Sequence, residues 1–159
     1  MSIKVYSSNG KILVNKTNGK WLYENPLPEI TIGTTVWLAK DLDIDDGGSG
    51  IYKRGDKVYY TLSAAQRIVS SLTGWALPNS SNMQVTAENA AKLKLSTVDG
   101  RYLVSQGRYT GLGEVTTYGT GSTSGSNYYG MNYSSGYSSS MTMCDQSTEA
   151  CIFRLVKVS

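Results

Sequence analysis

The sequence contains no histidine. That removes the Ser-His-Asp and Cys-His nucleophile systems, His-ligated metals and the ordinary neutral-pH proton shuttle. Cysteine is almost as scarce. Cys144 and Cys151 are the only two, too few for a structural zinc site without histidines. Charged residues make up 17% of the chain, against about 25% in an average domain. The net charge of +3 comes from Lys and Arg scattered without a dense run, so the electrostatic footprint of a nucleic-acid binder is missing. No apolar run reaches the length of a membrane span, and the first residues hold none long enough for a secretory signal. The chain is therefore expected to stay in the cell that makes it, or to leave by assembly and lysis.

What is present is Gly, Ser, Thr and Tyr, the composition of a loop-rich β protein. At 159 residues one domain is the default. Two Asn-Gly dipeptides, Asn9-Gly10 and Asn18-Gly19, separate the strand-forming runs IKVYSS, KILVNKT and KWLYE. Asn-Gly readily takes the positive φ angles of a type I′ turn, so residues 1–25 read as a three-stranded meander. The NPLPE that follows marks a boundary, because its prolines cannot join a central strand. From Ile30 a strand pair carrying Trp37 leads into the acidic loop DIDDGGSG, and IYKRGDKVYYT reads as two strands about a Gly turn. TLSAAQRIVSSLTGW reads as a helix with Leu62, Ala65, Ile68, Val69 and Leu72 on one face, Thr61 as cap and Gly74 as stop. A weaker helix starts near Thr86, and a last strand runs from Ala150 to Val158. Strands, helix, helix, strands make an α+β fold with both ends of the main domain extended and able to pair.

The segments ITIGTTVWLAKDLDI, VYYTLSAAQRI, TGWALPN and FRLVKVS, in that order over residues 30–159, resemble the Fibrobacter succinogenes major paralogous domain of Bacteroidetes proteins and their phages. That resemblance implies a C-type-lectin-like fold, in which the first and last strands pair and a long irregular loop region displays a binding surface. The chain departs from the family pattern in places. The family's usual cysteines are missing, Leu155 standing at one of their positions, and the second helix is shortened. The Tyr/Ser/Gly run replaces a Trp-Ser-Ser-Thr segment of longer members.

Single motifs have plain structural readings. Trp37 and Trp75 are expected in the core. Asp41, Asp43 and Asp45 alternate like the opening of a calcium loop, but the sixth position is Asp46 rather than Gly and the twelfth is Tyr52 rather than Glu. The EF-hand reading fails, and a solvated acidic loop is expected with no metal. Arg54-Gly55-Asp56 reads as a hairpin turn. Cys144 and Cys151, spaced as CDQSTEAC, suit either a disulfide across a hairpin or two reduced thiols.

From Gly107 to Ser140 all but five residues are Gly, Ser, Thr, Tyr or Asn. Ordering that run costs about 1–2 kcal/mol per residue, more than burial of its tyrosines returns, so it is expected as loops and edge strands resting on the domain. Tyrosine supplies rigid amphipathic contact area, and Ser, Gly and Asn supply adaptable hydrogen bonds, as in an antibody paratope. Tyr109, Tyr118, Tyr128, Tyr129, Tyr133 and Tyr137 are the expected ligand-binding residues.

Together with the resemblance, these features imply a non-enzymatic structural and adhesion protein of a phage virion, of fibre or decoration type, assembled as a homotrimer. Residues 1–25 would dock to other virion proteins, and residues 30–159 would meet a host-surface glycan or protein. No cofactor, catalytic residue, nucleic acid or membrane insertion is expected. The alternative is a carbohydrate- or protein-binding module of the bacterial cell surface. Formylglycine-generating oxidases share a related fold and use paired cysteines, but Cys144 and Cys151 are expected to flank a surface turn rather than a substrate cleft, which argues against an enzyme.

Overall fold

A computed structural model describes the backbone of three N-terminal strands and the whole of residues 27–158. The strands β1 (Ile3–Tyr6), β2 (Ile12–Thr17) and β3 (Lys20–Tyr23) form an antiparallel sheet in chain order. Ile3 lies opposite Lys16, and Thr17 opposite Lys20. The two Asn-Gly turns and Pro26 lie outside the described residues. Leu27 is buried, and the Pro28 carbonyl accepts from Ala39 N at 2.8 Å. The main unit thus begins a few residues before Ile30.

That unit is α+β, with two α-helices among mostly strands. A hairpin of β4 (Glu29–Ile32) and β5 (Thr35–Leu38) leads into the acidic segment, then a second hairpin of β6 (Ile51–Arg54) and β7 (Lys57–Tyr60). Gly55 sits at φ +62° between them, so Arg54-Gly55-Asp56 is the tight turn that glycine's left-handed freedom permits. Helix α1 (Leu62–Ser70) opens where the Thr61 hydroxyl accepts from Ala64 N, and α2 (Ala87–Leu93) where Thr86 accepts from Asn89 N. Leu62, Ala64, Ala65 and Ile68 are the buried face of α1. The short strand β8 (Trp75–Ala76) lies between the helices.

The second half contributes β9 (Asp99–Leu103), β10 (Arg108–Leu112), β11 (Val115–Ser124), β12 (Asn127–Ser134), β13 (Ser139–Asp145), β14 (Glu149–Ala150) and β15 (Val156–Lys157). Five of these form the path β10-β9-β11-β12-β13, with β14 paired to β9, and a second sheet runs β4-β5-β15-β8. The Tyr/Ser/Gly run is therefore regular sheet rather than loops, and β10 and β13 are the edge strands of its path. It builds β10 and the start of β13, and with β11 and β12 the two longest strands of the molecule. Besides tyrosine burial, the ladder hydrogen bonds and the β propensity of Thr and Tyr offset the ordering entropy of this run.

Register explains how the sheet is covered on both faces. Tyr118 lies opposite Met131, Gly119 opposite Gly130, and Tyr128 opposite Cys144. Side chains alternate along a strand, so Tyr128 and Gly130 share one face of β12 while Met131 and Tyr133 share the other. The first face packs on Phe153, Leu155 and α1, the second on Trp37, Met83 and α2. Phe153 presses on Gly119, where an added Cβ would overlap its ring. Past Gly119 the register shifts in a bulge, and the bulged Gly121 N donates to Pro78 O at 2.8 Å, docking the GWALPN turn.

The expected last strand is also broken. Ala150 to Val156 are all buried, and a strand covered on both sides must take its partners from several elements. Cys151 exchanges backbone bonds with Tyr60, the Ile152 carbonyl accepts from Gly119, Phe153 from Leu42, and Leu155 from Leu38. Val156 in β15 then pairs with Trp37 of β5 and with Ala76 of β8.

Candidate functional site

The six expected contact tyrosines are not brought together. Tyr118, Tyr128 and Tyr133 are 0% exposed, which corrects their assignment: they are core residues with anchored hydroxyls. Tyr118 donates to Asp41 Oδ1 at 2.9 Å, Tyr128 to Glu149 O at 2.8 Å, and Tyr133 to Met83 O. Burial pushes all three phenols upward, so they remain protonated donors. Tyr129 and Tyr137 are half-buried near the β12–β13 edge. Tyr109 is half-buried on β10, at the opposite edge of the same sheet.

Around Tyr109 the structure assembles a site. Tyr102 lies directly across from it in the β9–β10 pair, and Tyr52 directly across from Tyr59 in the β6–β7 hairpin. The two cross-strand pairs stack on each other. Ring centroids are 4.5 Å apart for Tyr52 and Tyr102, 4.7 Å for Tyr102 and Tyr109, and 4.9 Å for Tyr59 and Tyr109. Such contacts add about 0.5–1.5 kcal/mol each beyond area burial. Hydroxyls lock the two hairpins together: Tyr59 donates to Asp99 O at 2.6 Å and Tyr109 to Lys53 O at 3.0 Å. Tyr59 is the buried base of the stack, and the other three rings are half-buried.

Tyr52, Tyr102 and Tyr109 wall a cleft of about 500 Å³ whose polar rim is Asp45 and Lys53, ion-paired at 2.7 Å. The Arg54 guanidinium lies 6.0 Å from the centre of the Tyr109 ring, within cation–π range. Burial, then the neighbouring Tyr102, raises the Tyr109 pKa against the opposing effect of Arg54. The cleft thus offers flat aromatic faces, phenol hydroxyls and one charge of each sign at its mouth.

No family model, curated protein or solved structure matches the chain.

Of the six expected tyrosines Tyr109 lines this cleft, while Tyr52 and Tyr102, which line it too, were not among those expected. A signal was present: Tyr52 to Tyr59 and Tyr102 to Tyr109 have the same spacing, each pair placed about a glycine that turns the chain. Tyrosines set symmetrically about a hairpin turn must face each other across the strands.

The acidic segment is not a solvated loop. Leu42 and Ile44 are buried within it, and its aspartates face cations: Asp41 with Arg154 and Lys57, Asp43 with Lys40, Asp45 with Lys53, Asp46 with Arg67. Among the described residues no group of three or more acidic or cysteine side chains is placed to hold a metal ion, and no helix is long and apolar enough to cross a membrane. Asp41 is the hub. Its Oδ1 accepts from Arg154 Nε at 3.1 Å, Arg154 Nη2 at 2.9 Å and the Tyr118 hydroxyl, and its Oδ2 accepts from Lys57 Nζ at 3.1 Å. Burial disfavours the charge on Lys57, but the carboxylates of Asp41 and Asp99 outweigh it and raise its pKa. Arg154 also donates to Leu93 O at 2.8 Å, closing the C-terminus of α2. Cys144 and Cys151 do stand on either side of the turn at residues 146–148, where Ser147 is exposed, but both thiols point into the core and are fully buried.

Proposed function

We propose that this chain is a non-enzymatic adhesion module of a phage particle, with a C-type-lectin-like domain that holds a host-surface glycan in the tyrosine cleft. The carrying observation is the stack of Tyr52, Tyr102 and Tyr109 opening onto a cleft of about 500 Å³ with an ion-paired rim. A pyranose ring presents polarised C–H groups on one face, which pack on the electron-rich face of tyrosine, while its hydroxyls reach the phenol hydroxyls and the Asp45–Lys53 pair. Asp45, held by Lys53 at 2.7 Å, presents a positioned carboxylate at the rim to orient the sugar hydroxyls. The pairing of β15 with β5, near the two ends of the main unit, supports the lectin-like arrangement. The N-terminal sheet attaches the module to other virion proteins, and three copies assemble.

The test is a glycan array probed with the full chain and with Tyr52→Ala and Tyr102→Ala. Saccharide binding that both variants lose while they remain folded, with a cooperative melt lowered by no more than the lost ring contacts account for, supports the reading, and binding unchanged in both refutes the cleft. Antibody detection in purified virions, with a native mass of three chains, is the expected result for location and assembly. Protein confined to the bacterial envelope overturns the virion assignment.

A further inference from the structure

Cys144 and Cys151 take no part in the tyrosine cleft, yet their sulfurs lie 3.6 Å apart inside the core. Cys144 belongs to β13, opposite Tyr128, and Cys151 follows β14 in the segment bridged to Tyr60. The surroundings hold the two sulfurs toward each other. The Tyr128 hydroxyl, fixed on Glu149 O, lies 3.3 Å from Cys151 Sγ, and Arg101 Nη1 lies 3.7 Å from Cys144 Sγ. Gly130 leaves room beside Cys144, since a Cβ there would stand 3.2 Å from that sulfur.

We propose that Cys144 and Cys151 are a disulfide-forming site, reduced when the chain is made and closed by exchange with a small disulfide of the glutathione type outside a reducing compartment. A disulfide needs its sulfurs about 2.05 Å apart, so each has to move by less than about 1 Å, the scale of a small side-chain rotation. The chemistry balances without an outside electron acceptor beyond the named one. One cysteine thiolate displaces a thiol from the small disulfide and forms a mixed disulfide. The second cysteine thiolate attacks the protein sulfur of that bond and releases the other small thiol. Two protein S–H bonds and one small-molecule S–S bond become one protein S–S bond and two small-molecule thiols.

The contact with Cys151, and then burial, hold the Cys144 thiol well above its usual pKa in the closed fold. Exchange therefore runs through opening of β13, which among the described residues is an edge strand paired with β12 alone. Once formed, the bond ties that edge to the buried C-terminal segment. It acts on stability alone, so it does not rest on the adhesion reading.

The experiment refolds the full chain in glutathione buffers from fully reduced to fully oxidised, then reads intact mass, peptide map and melting temperature. Expected in the oxidised buffer are a loss of two hydrogens, a peptide linking Cys144 to Cys151, and a melting temperature higher by about 5–10 °C, all reversed by reductant. Cys144→Ala/Cys151→Ala should melt at one temperature in every buffer. Should that variant not fold, mass and melting of the wild-type chain decide alone. Thiols still open to alkylation after oxidised refolding, a trapped glutathione adduct, a cross-linked dimer, or an oxidised monomer that melts lower would each overturn the proposal.

Discussion

Replacing Asp41 by Ala removes one side chain that touches four donors. Arg154 is only 2% exposed, and without Asp41 its guanidinium keeps just the carbonyls of Leu93 and Leu38, at 2.8 and 3.3 Å. Breaking a buried ion pair by deleting one partner costs about 3–5 kcal/mol, because the remaining charge stays out of water without its counter-charge. The Tyr118 hydroxyl loses its acceptor in the same step, and Lys57 keeps only Asp99 at 3.9 Å. A domain of this size holds about 5–15 kcal/mol in all. At about 2–4 °C per kcal/mol, the melting temperature should fall by about 6–20 °C, and the urea midpoint should drop with it. Asp43→Ala is the internal control. Its Lys40 partner is about a third exposed, and such pairs contribute about 0–1 kcal/mol. An Asp41→Ala chain that melts within a degree or two of the Asp43→Ala chain would refute the hub, and with it the claim that this loop is anchored by charge.

Gly119→Ala should destabilise by about 1–3 kcal/mol through overpacking on Phe153, and Phe153→Leu in the same chain should recover part of that; a neutral Gly119→Ala would show that the sheet yields there freely. Trp37, 2% exposed and opposite Val156, should cost about 3–5 kcal/mol when truncated to Ala, read as loss of soluble folded protein or a large drop in urea midpoint. Hydrogen bonding to Arg67 holds the Asp46 carboxyl below its ordinary value of 3.8. A depressed pKa contributes stability above the unfolded value and loses it as pH falls through the folded one, so Asp46→Asn should be less stable than wild type at pH 7 and converge with it in strong acid. Urea melts across that range check the sign, and a difference that grows on acidification would contradict it.

Some of this protein is written in near neighbours along the chain. Thr61 and Thr86 cap their helices through the amide three residues on, and Gly55 turns a hairpin by its own conformational freedom. The α+β class and the buried tryptophans, Trp37 and Trp75, follow from runs of apolar and β-branched residues a few positions long. These features depend on spacings of one to four residues, where the sequence alone fixes the geometry.

The tyrosines and the aspartates belong to a different range. The Tyr118 hydroxyl meets an acceptor 77 residues away, and Arg154 meets Asp41 across 113. Composition said that the run from Gly107 to Ser140 was suited to contact, but not whether the surface being contacted lay outside the domain or inside it. That was decided by coverage: α1 and the C-terminal segment against one face of β12, α2 and Trp37 against the other. A tyrosine on a strand is a core residue or a binding residue according to what is packed above it. Tyr109, at an edge where the β6–β7 hairpin leaves the stack open on one side, was left facing a cleft.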